Sequence, residues 1–437
     1  MIGRRVTVIG AGLSGLTAAH ELAANRRVVT VVEARGRSGG RVWTARDGFL
    51  DRQYAELGGE FVDNDHAQVR TLVARYGLEL VPVLRSGFTQ RHRSSEGGYQ
   101  LTRGSGWAQL QKAFAPLILR YRVARGDEHA DAVRELSTYS VREWLRVQGA
   151  GDELHAIVDS MRGFFLADPE ELSALALVAQ LADRGSPAQT RISRIVGGAD
   201  RLVDALVRHT PAQFLFNHHV HAIAQAPDRV RVHVRDAAGL QQELETDAVV
   251  VTVPTTVLRT IAITPPLPEE QLHAIASLRY GCATKVVIQY AGDALRRTHA
   301  RAFATDTYLG AFWDSTEGQL STSCSTLTFL CGGSASAAMR QHIERGPRDV
   351  LAGLCWLDLA DVTVTASRHT SWERDKFAGG GYAYLDPTFD PAWLSLLSRR
   401  AGRIVFAGEH TSSEHQGYME GAIESGLRAA RELMEGG

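Results

Sequence analysis

The sequence predicts an α/β fold in which one parallel sheet is assembled from distant parts of the chain. A β-branched run from Val6 to Ile9 leads directly into closely spaced glycines and a helix-forming stretch. The runs Val249 to Val253 and Ile404 to Ala407 are continuously apolar, as expected for parallel strands that are covered on both faces. Because strands from the start, the middle and the end of the chain must meet in this sheet, the segments between them are expected to form a second domain.

The glycines after the first strand indicate a Rossmann-type turn that binds a dinucleotide. Gly10 permits the tight turn out of the strand, and Gly12 lets a pyrophosphate approach the amides at the helix N-terminus. Gly15 allows the helix to pack closely on the strand. A second apolar run, Val28 to Val32, ends on Glu33, where a carboxylate can accept hydrogen bonds from an adenosine ribose. These signals, in this order, predict a dinucleotide site.

The positions of the apolar strands along the chain predict two domains. Segment 105–195 is rich in helix signals, whereas segment 275–375 is rich in serine, threonine and glycine and is expected to be irregular. Ligands favour the cleft between two domains. We expect a dinucleotide-binding domain of residues 1–84, 196–274 and 376–437, and an α+β substrate-binding domain of residues 85–195 and 275–375.

The composition is that of an ordinary globular protein. The 437 residues are 44% hydrophobic and 22% charged, and the net charge is −1, which gives no electrostatic basis for binding nucleic acid or an anionic membrane. No apolar stretch approaches the roughly 18 residues of a membrane span. The first strand begins too early to leave room for a secretory signal, so we expect a cytoplasmic location. The four cysteines lack metal-ligand spacing and are expected to be buried free thiols.

Three further motifs make the interpretation more specific. Gly39-Gly40-Arg41 follows the second strand, and Glu56-Leu57-Gly58-Gly59-Glu60 comes shortly after it. The third motif is IVFAGEHTSSEHQGYMEGAIESGLRAA, residues 404–430. Together they closely resemble the flavin-containing amine oxidase family, which includes monoamine oxidases, polyamine oxidases and L-amino acid oxidases, and the similarity extends over the whole chain. The resemblance implies that the dinucleotide is FAD and that the first domain is a Rossmann-type FAD-binding domain.

The resemblance also implies roles along the cofactor. Arg41 is expected to neutralise the pyrophosphate, and the backbone of Val220 to touch the adenine. Gly408 and Glu409 are expected to approach the ribityl chain and the pyrophosphate, while the helix that opens at Met419 presents amides to the flavin. The full set of expected cofactor-binding residues is Gly10, Gly12, Gly15, Glu33, Ala34, Arg35, Gly40, Arg41, Leu57, Gly58, Gly59, Glu60, Val220, Trp372, Gly408, Glu409 and Met419.

Three side chains are expected to carry the chemistry. Tyr382 and Tyr418 fall where the family places two aromatic rings that face each other before the flavin, a cage that holds an amine and excludes water. Lys285 matches the family lysine that holds a water against flavin N5. Trp372 matches a family tryptophan that packs beside the flavin.

Two departures from the family pattern refine these expectations. Gly381 stands where the covalently flavinylated monoamine oxidases have a cysteine, so FAD is expected to be noncovalent. L-amino acid oxidases typically carry an arginine shortly after this glycine pair to hold the substrate carboxylate, whereas here Gly59 is followed by Glu60-Phe61-Val62. This difference favours an amine over an amino acid, although an arginine from the second domain can substitute. Glu60 itself is equally consistent with a place in the substrate cleft and with the cap of a turn.

Metal and hydrolase sites are not expected. Of His218, His219 and His221, only the last two share a face of the predicted strand, and no third ligand is identifiable. No GxSxG elbow or Cys/His pair supports a hydrolase.

The resulting prediction is an FAD-dependent oxidase that acts on a C–N bond of a small-molecule amine. Hydride passes from the amine to flavin N5, the imine hydrolyses to an aldehyde or ketone, and O2 reoxidises the flavin to give hydrogen peroxide. Three alternatives stay open: an L-amino acid oxidase, a biosynthetic tailoring oxidase for a larger amine-containing metabolite, and a flavin-bound interaction protein without turnover. The sequence leaves open which amine is used and whether the chain forms a homodimer.

Overall fold

The computed structural model describes residues 4–93, 99–101, 106–124, 126–183, 191–294, 301–321, 323–357, 359 and 361–435. Within these residues, parallel and antiparallel sheets are combined with helices. The predicted α/β fold class is therefore confirmed.

A parallel sheet, called the cofactor sheet below, joins the strands predicted at the start, middle and end of the chain. Arg5–Ile9 lies at its centre, between Val28–Val32 and Ala248–Val251. Gln213–Leu215 extends the sheet at one edge, and Ile404–Phe406 extends it at the other. These strands are rich in β-branched and apolar residues because both faces of the sheet are covered.

Helices cover one face of the cofactor sheet, and a smaller sheet covers the other. On the first face Val8 packs in one core with the helices Leu13–Ala24 and Met419–Glu435. On the opposite face Val251 packs with apolar residues of the smaller sheet. The strands of the smaller sheet are, in spatial order, Gln241–Thr246, Val230–Arg235, His219–Gln225 and Ala262–Thr264. The carboxyl ends of the parallel strands remain open toward the rest of the chain, where such sheets bind ligands.

A large, mainly antiparallel sheet forms the centre of the segments assigned to the substrate domain. Its described strands are, in spatial order, Val364–Ser371, Ala283–Ala291, Cys324–Gly332, Ala311–Asp314, Ala302–Thr305, Thr89–Arg93 and Tyr99–Leu101. A second, small sheet consists of Val62–Asp63, Ile192–Ile195 and Leu80–Val83. The strand Ala283–Ala291, second from one edge, carries Lys285 and pairs with a strand on each side.

The helix-rich segment forms the helices expected from its composition. The helix Val141–Val147 begins with a capping box, in which Ser140 and Glu143 satisfy each other's backbone amides. The described helices of this segment are Gly106–Ala113, Ala115–Ala124, Asp131–Ser137, Val141–Val147, Asp152–Asp159, Arg162–Phe165 and Ala174–Asp183. Helices elsewhere in the structure include Ala67–Arg75, Asp200–His209, Thr255–Leu258, Glu269–Ser277, Gly333–Arg345, Pro347–Ala352 and Leu394–Ser398. Among the described residues, no helix is both long enough and apolar enough to cross a lipid bilayer.

The segment 275–375 differs from the sequence expectation, because it supplies most of the large sheet rather than irregular chain. Its serine and threonine hydroxyls pair with one another inside the sheet instead of forming turns. Ser315 and Thr328 lie 2.6 Å apart, and Thr284 lies 2.8 Å from Ser371 on the neighbouring strand. Such bonds satisfy the hydroxyls on strands that are buried on both faces.

The cysteines also differ in part from the expectation of buried thiols. All four are free, but Cys282 and Cys355 are exposed, whereas Cys324 and Cys331 are buried. Burial strongly raises the pKa of the Cys331 thiol, so this side chain stays protonated.

Candidate active site

A cavity of about 970 Å³ runs from the carboxyl ends of the cofactor sheet to the large antiparallel sheet. Gly10 and Glu33 lie at one end of it, and Lys285, Tyr382 and Tyr418 line its wall as well. Every residue predicted from the sequence to bind the cofactor or to carry the chemistry lines this cavity, except Gly15. The cavity therefore brings together residues from distant parts of the chain.

The glycines of the first turn leave the space that a pyrophosphate requires. Gly10 has a φ of +104°, which favours glycine, and turns the chain out of the first strand. A Cβ at Gly15 would lie 2.0 Å from the carbonyl oxygen of Gly10, so Gly15 serves the packing of helix on strand. At Gly12 a Cβ would meet nothing within 4 Å, and this residue lines the cavity. The turn therefore fits a phosphate at the N-terminus of the helix Leu13–Ala24.

Glu33 is buried at the end of the second strand and closes the glycine turn. Its two carboxylate oxygens accept hydrogen bonds from the backbone amides of Ala11 and Arg35, each at 2.8 Å. The guanidinium of Arg35 pairs with Asp375. Arg35 and Ala34, which links it to Glu33, both line the cavity. This arrangement holds a carboxylate at the position expected for ribose recognition.

Arg41 and Glu409 form an ion pair that links the two ends of the chain across the cavity wall. The guanidinium of Arg41 lies 2.9 Å from Glu409 and donates to the carbonyl of Gly381 at 2.7 Å. Burial alone would lower the pKa of Arg41, but Glu409 raises it above its ordinary value. Glu409 also accepts a hydrogen bond from the amide of Gly417 at 2.8 Å. Arg41 is therefore a fixed positive charge beside the glycine turn, where Gly40 approaches Gly12.

The loop that contains Leu57, Gly58 and Gly59 is held against the cavity by buried aromatic and sulfur side chains. The indole of Trp372 donates a 2.9 Å hydrogen bond to the carbonyl of Leu57. A Cβ at Gly59 would lie 3.2 Å from the side chain of Met419, so glycine permits this close approach. Backbone that lies this close to a cavity wall can pass directly along a bound ring system.

Two of the expected cofactor contacts, at Val220 and Gly408, are made by the backbone rather than by a side chain. Val220 is 4% exposed, lies in the strand His219–Gln225 and lines the cavity with the neighbouring His218 and His219. The other predicted backbone contact, Gly408, has a φ of +124° and lies next to His410. Burial lowers the pKa of His410 to about 4, so its ring is neutral at physiological pH.

Lys285 is buried in the wall of the cavity and is held by two acceptors. Its ammonium nitrogen lies 2.6 Å from Oε2 of Glu60 and 3.0 Å from the carbonyl oxygen of Gly58. The other oxygen of Glu60 accepts from the indole nitrogen of Trp313 at 2.9 Å and lies 2.8 Å from Nε of Arg194. Glu60 therefore lies in the cleft wall, and among the described contacts its carboxylate partners are side chains rather than the amides of a turn.

The electrostatic state of Glu60 follows from these neighbours. Burial alone would raise the pKa of its carboxyl group, but Lys285 and Arg194 lower the pKa below its ordinary value. Glu56 lies four residues earlier in the chain, and burial raises its pKa to about 7 because Lys285 lowers that pKa too little to offset the burial. Glu60 is therefore fully ionised at neutral pH, whereas Glu56 titrates there.

Tyr382 and Tyr418 line the same part of the cavity, and each is fixed by a polar contact from the helix-rich segment. The hydroxyl of Tyr382 donates to the carbonyl of Phe164, and burial raises its pKa. The hydroxyl of Tyr418 accepts a 2.9 Å hydrogen bond from the amide of Gln180. A Cβ at Gly417 would lie 3.3 Å from the ring of Tyr382, so this glycine lets the segment before Tyr418 approach the other tyrosine.

Several residues that shape the site carry no signal in the sequence. Gln180 lies on the helix Ala174–Asp183, while Trp313 and Arg194 lie on separate strands. Phe164 and Leu175 add apolar side chains to the cavity lining. A buried glutamine, arginine or phenylalanine in such segments is indistinguishable by sequence pattern from an ordinary core residue, so no motif identifies them.

The fold and the site together define a class of protein: a flavin-dependent oxidoreductase with its substrate cavity between a dinucleotide domain and a mixed α+β domain. The glycine turn, the fixed charge of Arg41 and the buried Glu33 fit the ADP half of FAD. A family model for flavin containing amine oxidoreductases matches residues 13–434. The chain belongs to this family: it is an enzyme, its cofactor is FAD, and it oxidises amines with O2.

The chain is similar in sequence to L-amino-acid oxidases and similar in fold to amine oxidases. The chain is 29% identical to an L-amino-acid oxidase of Mus musculus over 461 residues, which covers 98% of this chain and 70% of that protein. It is 26% identical to an L-amino-acid oxidase of Gloydius halys over 479 residues, with 98% and 89% covered. The fold is similar to that of wild-type putrescine oxidase bound to putrescine, with a TM-score of 0.84, 22% identity and 99% of both chains covered. Cyclohexylamine oxidase from Brevibacterium oxydans gives a TM-score of 0.83 at 24% identity, with 100% of this chain and 99% of that chain covered.

Proposed function

We propose that this enzyme oxidises the C–N bond of an amine whose reacting carbon carries no carboxylate. The amine loses two electrons and becomes an imine, which hydrolyses to an aldehyde or ketone, while O2 is reduced to hydrogen peroxide. FAD, when bound, accepts the hydride and passes the two electrons to O2. The observation that carries this proposal is that Lys285, Arg41 and Arg35, the lysine and arginines of the described cavity lining that are not exposed, each have a protein carboxylate within 4.0 Å.

These three cations of the cavity wall are already paired with protein carboxylates. Lys285 pairs with Glu60, and Arg41 pairs with Glu409. Arg35, at the ribose end, pairs with an aspartate. A substrate carboxylate beside Lys285 would have to compete with a buried protein carboxylate for the same cation. Because a buried charge without a partner is costly, this competition favours an uncharged substituent at that place.

Tyr382 and Tyr418 support an amine that enters the cavity in its neutral form. The helix-rich segment contributes apolar residues to the cavity lining, among them Phe164, Leu172 and Leu175. Such a wall disfavours an ammonium ion and favours the free base, and only the free base has the nitrogen lone pair that drives loss of hydride from the neighbouring carbon. The proposed role of the two tyrosines is to orient this nitrogen and to exclude water.

Lys285 is proposed to act in the reoxidation of the reduced flavin by O2. Its ammonium nitrogen has two acceptors in the structure, and a third N–H remains to hold a water or to face O2 from the cavity wall. A fixed positive charge at this place stabilises negative charge as electrons reach oxygen.

FAD is proposed to be held without a covalent bond. At Gly381 a Cβ would lie 2.3 Å from Cδ1 of Leu166 and 2.6 Å from Cβ of Ala283, so the position does not admit a cysteine without rearrangement. None of the four cysteines lines the described cavity. The cofactor therefore depends on Arg41, Glu33 and the backbone of the glycine turn.

A cytoplasmic location without nucleic-acid or membrane partners is part of the same proposal. It is supported by the net charge of −1 and by four cysteines that form no disulfide.

An L-amino acid oxidase is the second candidate, and it is favoured by the curated relatives. Arg85 is the residue that would hold the carboxylate in that case. It is exposed, lines the cavity with Phe88, and has no carboxylate within 4.0 Å in the part of the chain that the structure describes. If an amino acid is the substrate, its carboxylate is expected to bind there rather than beside Lys285.

An anaerobic bleaching screen tests the proposal. The purified yellow protein is mixed without O2 with primary amines, secondary amines, diamines and L-amino acids, and loss of flavin absorbance is recorded. We expect amines to bleach the flavin, and peroxide to form when air is admitted. Bleaching by amino acids alone, lost after Arg85→Gln, would favour the second candidate. Slow bleaching by every simple compound would favour a larger metabolite as the substrate, and no bleaching by any amine would contradict the proposal.

A further inference from the structure

We propose that Glu60 is a positioning residue, which holds the ammonium group of Lys285 at the wall of the cavity. Only the kinetic consequence of this contact depends on the proposed function, since the contact itself involves protein side chains alone. Glu60 would act through Lys285 and would touch neither the substrate nor the reacting atoms.

Lys285 reaches the cavity wall from the strand Ala283–Ala291 and is 3% exposed. Its nitrogen lies 2.6 Å from Oε2 of Glu60, 3.0 Å from the carbonyl oxygen of Gly58 and 5.1 Å from the ring centre of Trp313. A lysine side chain has four rotatable bonds, so a free ammonium group would sample many positions. The carboxylate and the carbonyl together reduce these positions to one.

Glu60 is itself fixed from the opposite side. Its Oε1 accepts from the indole of Trp313 at 2.9 Å and lies 2.8 Å from Nε of Arg194. Arg194 is anchored in turn by backbone carbonyls, among them that of Glu317 at 3.0 Å. The carboxylate therefore cannot follow Lys285 if the lysine moves, which is the requirement for a residue that sets a position.

The charges around Glu60 also support a positioning role. Two buried cations, Lys285 and Arg194, share the single carboxylate of Glu60. The neighbouring Glu56 accepts hydrogen bonds from Thr44 and from the amide of Ala199, so it is satisfied without either cation. Loss of the charge on Glu60 would leave two cations facing each other without a counter-charge.

Glu60 also connects the cofactor loop to the substrate domain. It directly follows Gly58 and Gly59, whose backbone lines the cavity, whereas Lys285 and Trp313 belong to strands of the large sheet. The same contact therefore fixes the distance between that loop and the lysine.

The sharpest test compares Glu60→Gln with the matched variant Glu56→Gln. Both changes replace a buried carboxyl group by an amide in the same segment, but only the first removes the negative charge that Lys285 and Arg194 share and replaces one of its acceptor oxygens by an N–H donor. Lysine reactivity is measured on the FAD-bound enzyme by acylation with acetic anhydride and peptide mass spectrometry. The chain has three lysines, so the exposed Lys112 and Lys376 serve as internal references.

We expect Lys285 in the natural protein to react far more slowly than the two references. After Glu60→Gln its relative reactivity should rise about tenfold or more, because an amine released from an ion pair is a better nucleophile. Glu56→Gln should leave the ratio unchanged. An equal rise in both variants, or no rise in Glu60→Gln, would overturn the proposal. If Glu60→Gln does not retain FAD, Glu60→Asp gives the same test, since its shorter carboxylate cannot reach both partners.

The kinetic arm is a double-mutant comparison of flavin reoxidation by O2. If Glu60 acts through Lys285, adding Glu60→Gln to Lys285→Met should slow reoxidation no further than Lys285→Met alone. Multiplying effects would mean that Glu60 acts independently and would contradict the positioning role. If Glu60→Gln raises the reactivity of Lys285 but Lys285→Met reoxidises normally, the contact between the two residues is confirmed, and Lys285 has no role in the reaction with O2.

Discussion

The side-chain amide of Gln180 donates a 2.9 Å hydrogen bond to the hydroxyl of Tyr418. A residue of the helix-rich segment thereby fixes an aromatic ring that belongs to the C-terminal flavin motif. The ring of His66 packs edge-on against the same tyrosine, with ring centres 5.2 Å apart. One wall of the proposed amine cage is therefore set jointly by the helix-rich segment and by His66 from the N-terminal part of the chain.

Replacement of Gln180 by leucine should loosen this wall. The variant keeps the approximate size of the side chain but loses the donor, which corresponds to about 1 kcal/mol or roughly fivefold in amine binding. We expect the Kd for the amine in anaerobic flavin reduction to rise by this factor, with the limiting reduction rate less affected. Tyr418→Phe should weaken binding similarly, and the double variant should be no worse than either single one. Independent, additive losses would show that this hydrogen bond does not position the ring.

Lys285→Met should separate the two halves of the catalytic cycle. Removal of the fixed charge is expected to slow reoxidation of the reduced flavin by about 100-fold, while reduction by amine slows much less. Stopped-flow traces of each half-reaction provide the measurement. Lys112→Met, which removes an exposed lysine that does not line the cavity, serves as the control. An unchanged oxidative half-reaction would exclude Lys285 from the reaction with O2.

Acid precipitation should release the flavin into the supernatant. A Cβ at Gly381 would clash with Leu166 and Ala283, and no cysteine is among the residues of the described cavity lining, so no thiol is available there for a covalent link. The absorbance of supernatant and pellet after trichloroacetic acid gives the result directly. Yellow colour that stays in the pellet would show that another side chain is bonded to the flavin.

The pH dependence of stability should reveal two buried groups of opposite effect. The pKa of His410 is lowered from 6.5 to about 4, so only the unfolded chain binds this proton between these values, and stability falls as the pH falls. The pKa of Glu56 is raised from 4.5 to about 7, so the folded chain binds the proton first, and stability rises as the pH falls. Between pH 6.5 and 4.5 the two effects oppose each other.

Single variants should uncover each effect. Glu56→Gln removes the compensation, so its free energy of unfolding should fall on acidification by about 1.4 kcal/mol per pH unit more than that of the natural protein. His410→Asn should show the opposite difference over the same range. Urea unfolding at pH 6.5, 5.5 and 4.5 gives the slopes. Parallel slopes for all three proteins would show that neither group titrates as the structure indicates.

The parts of the site that depend on local backbone geometry were predictable from the sequence. Gly10, Gly12 and Glu33 follow one another in a short stretch, and the order of strand, turn, helix and strand that the sequence predicted places all three in the cavity wall. Lys285 and Tyr418 became visible only through the resemblance to a family, since a lone lysine on a strand and a lone tyrosine carry no motif of their own.

The remaining parts depend on contacts that no local pattern encodes. Glu60 meets Trp313 and Arg194 only because three separate segments pack together, and Gln180 meets a residue 238 positions later in the chain. Segment 275–375 was misjudged for a related reason. Its serines and threonines resemble loop residues in composition, but inside the sheet their hydroxyls satisfy one another, as Ser315 and Thr328 do.

The most direct test of the central claim compares two substrates that differ by a single group. The fastest amine of the bleaching screen is set against the α-amino acid that carries one additional carboxylate on the reacting carbon, and anaerobic flavin reduction is followed in a stopped-flow instrument. Since Lys285 and Arg41 are already paired, the amine should reduce the flavin about 100-fold faster or more, as expected for an unpaired buried carboxylate that costs roughly 3 kcal/mol. Faster reduction by the amino acid would contradict this account.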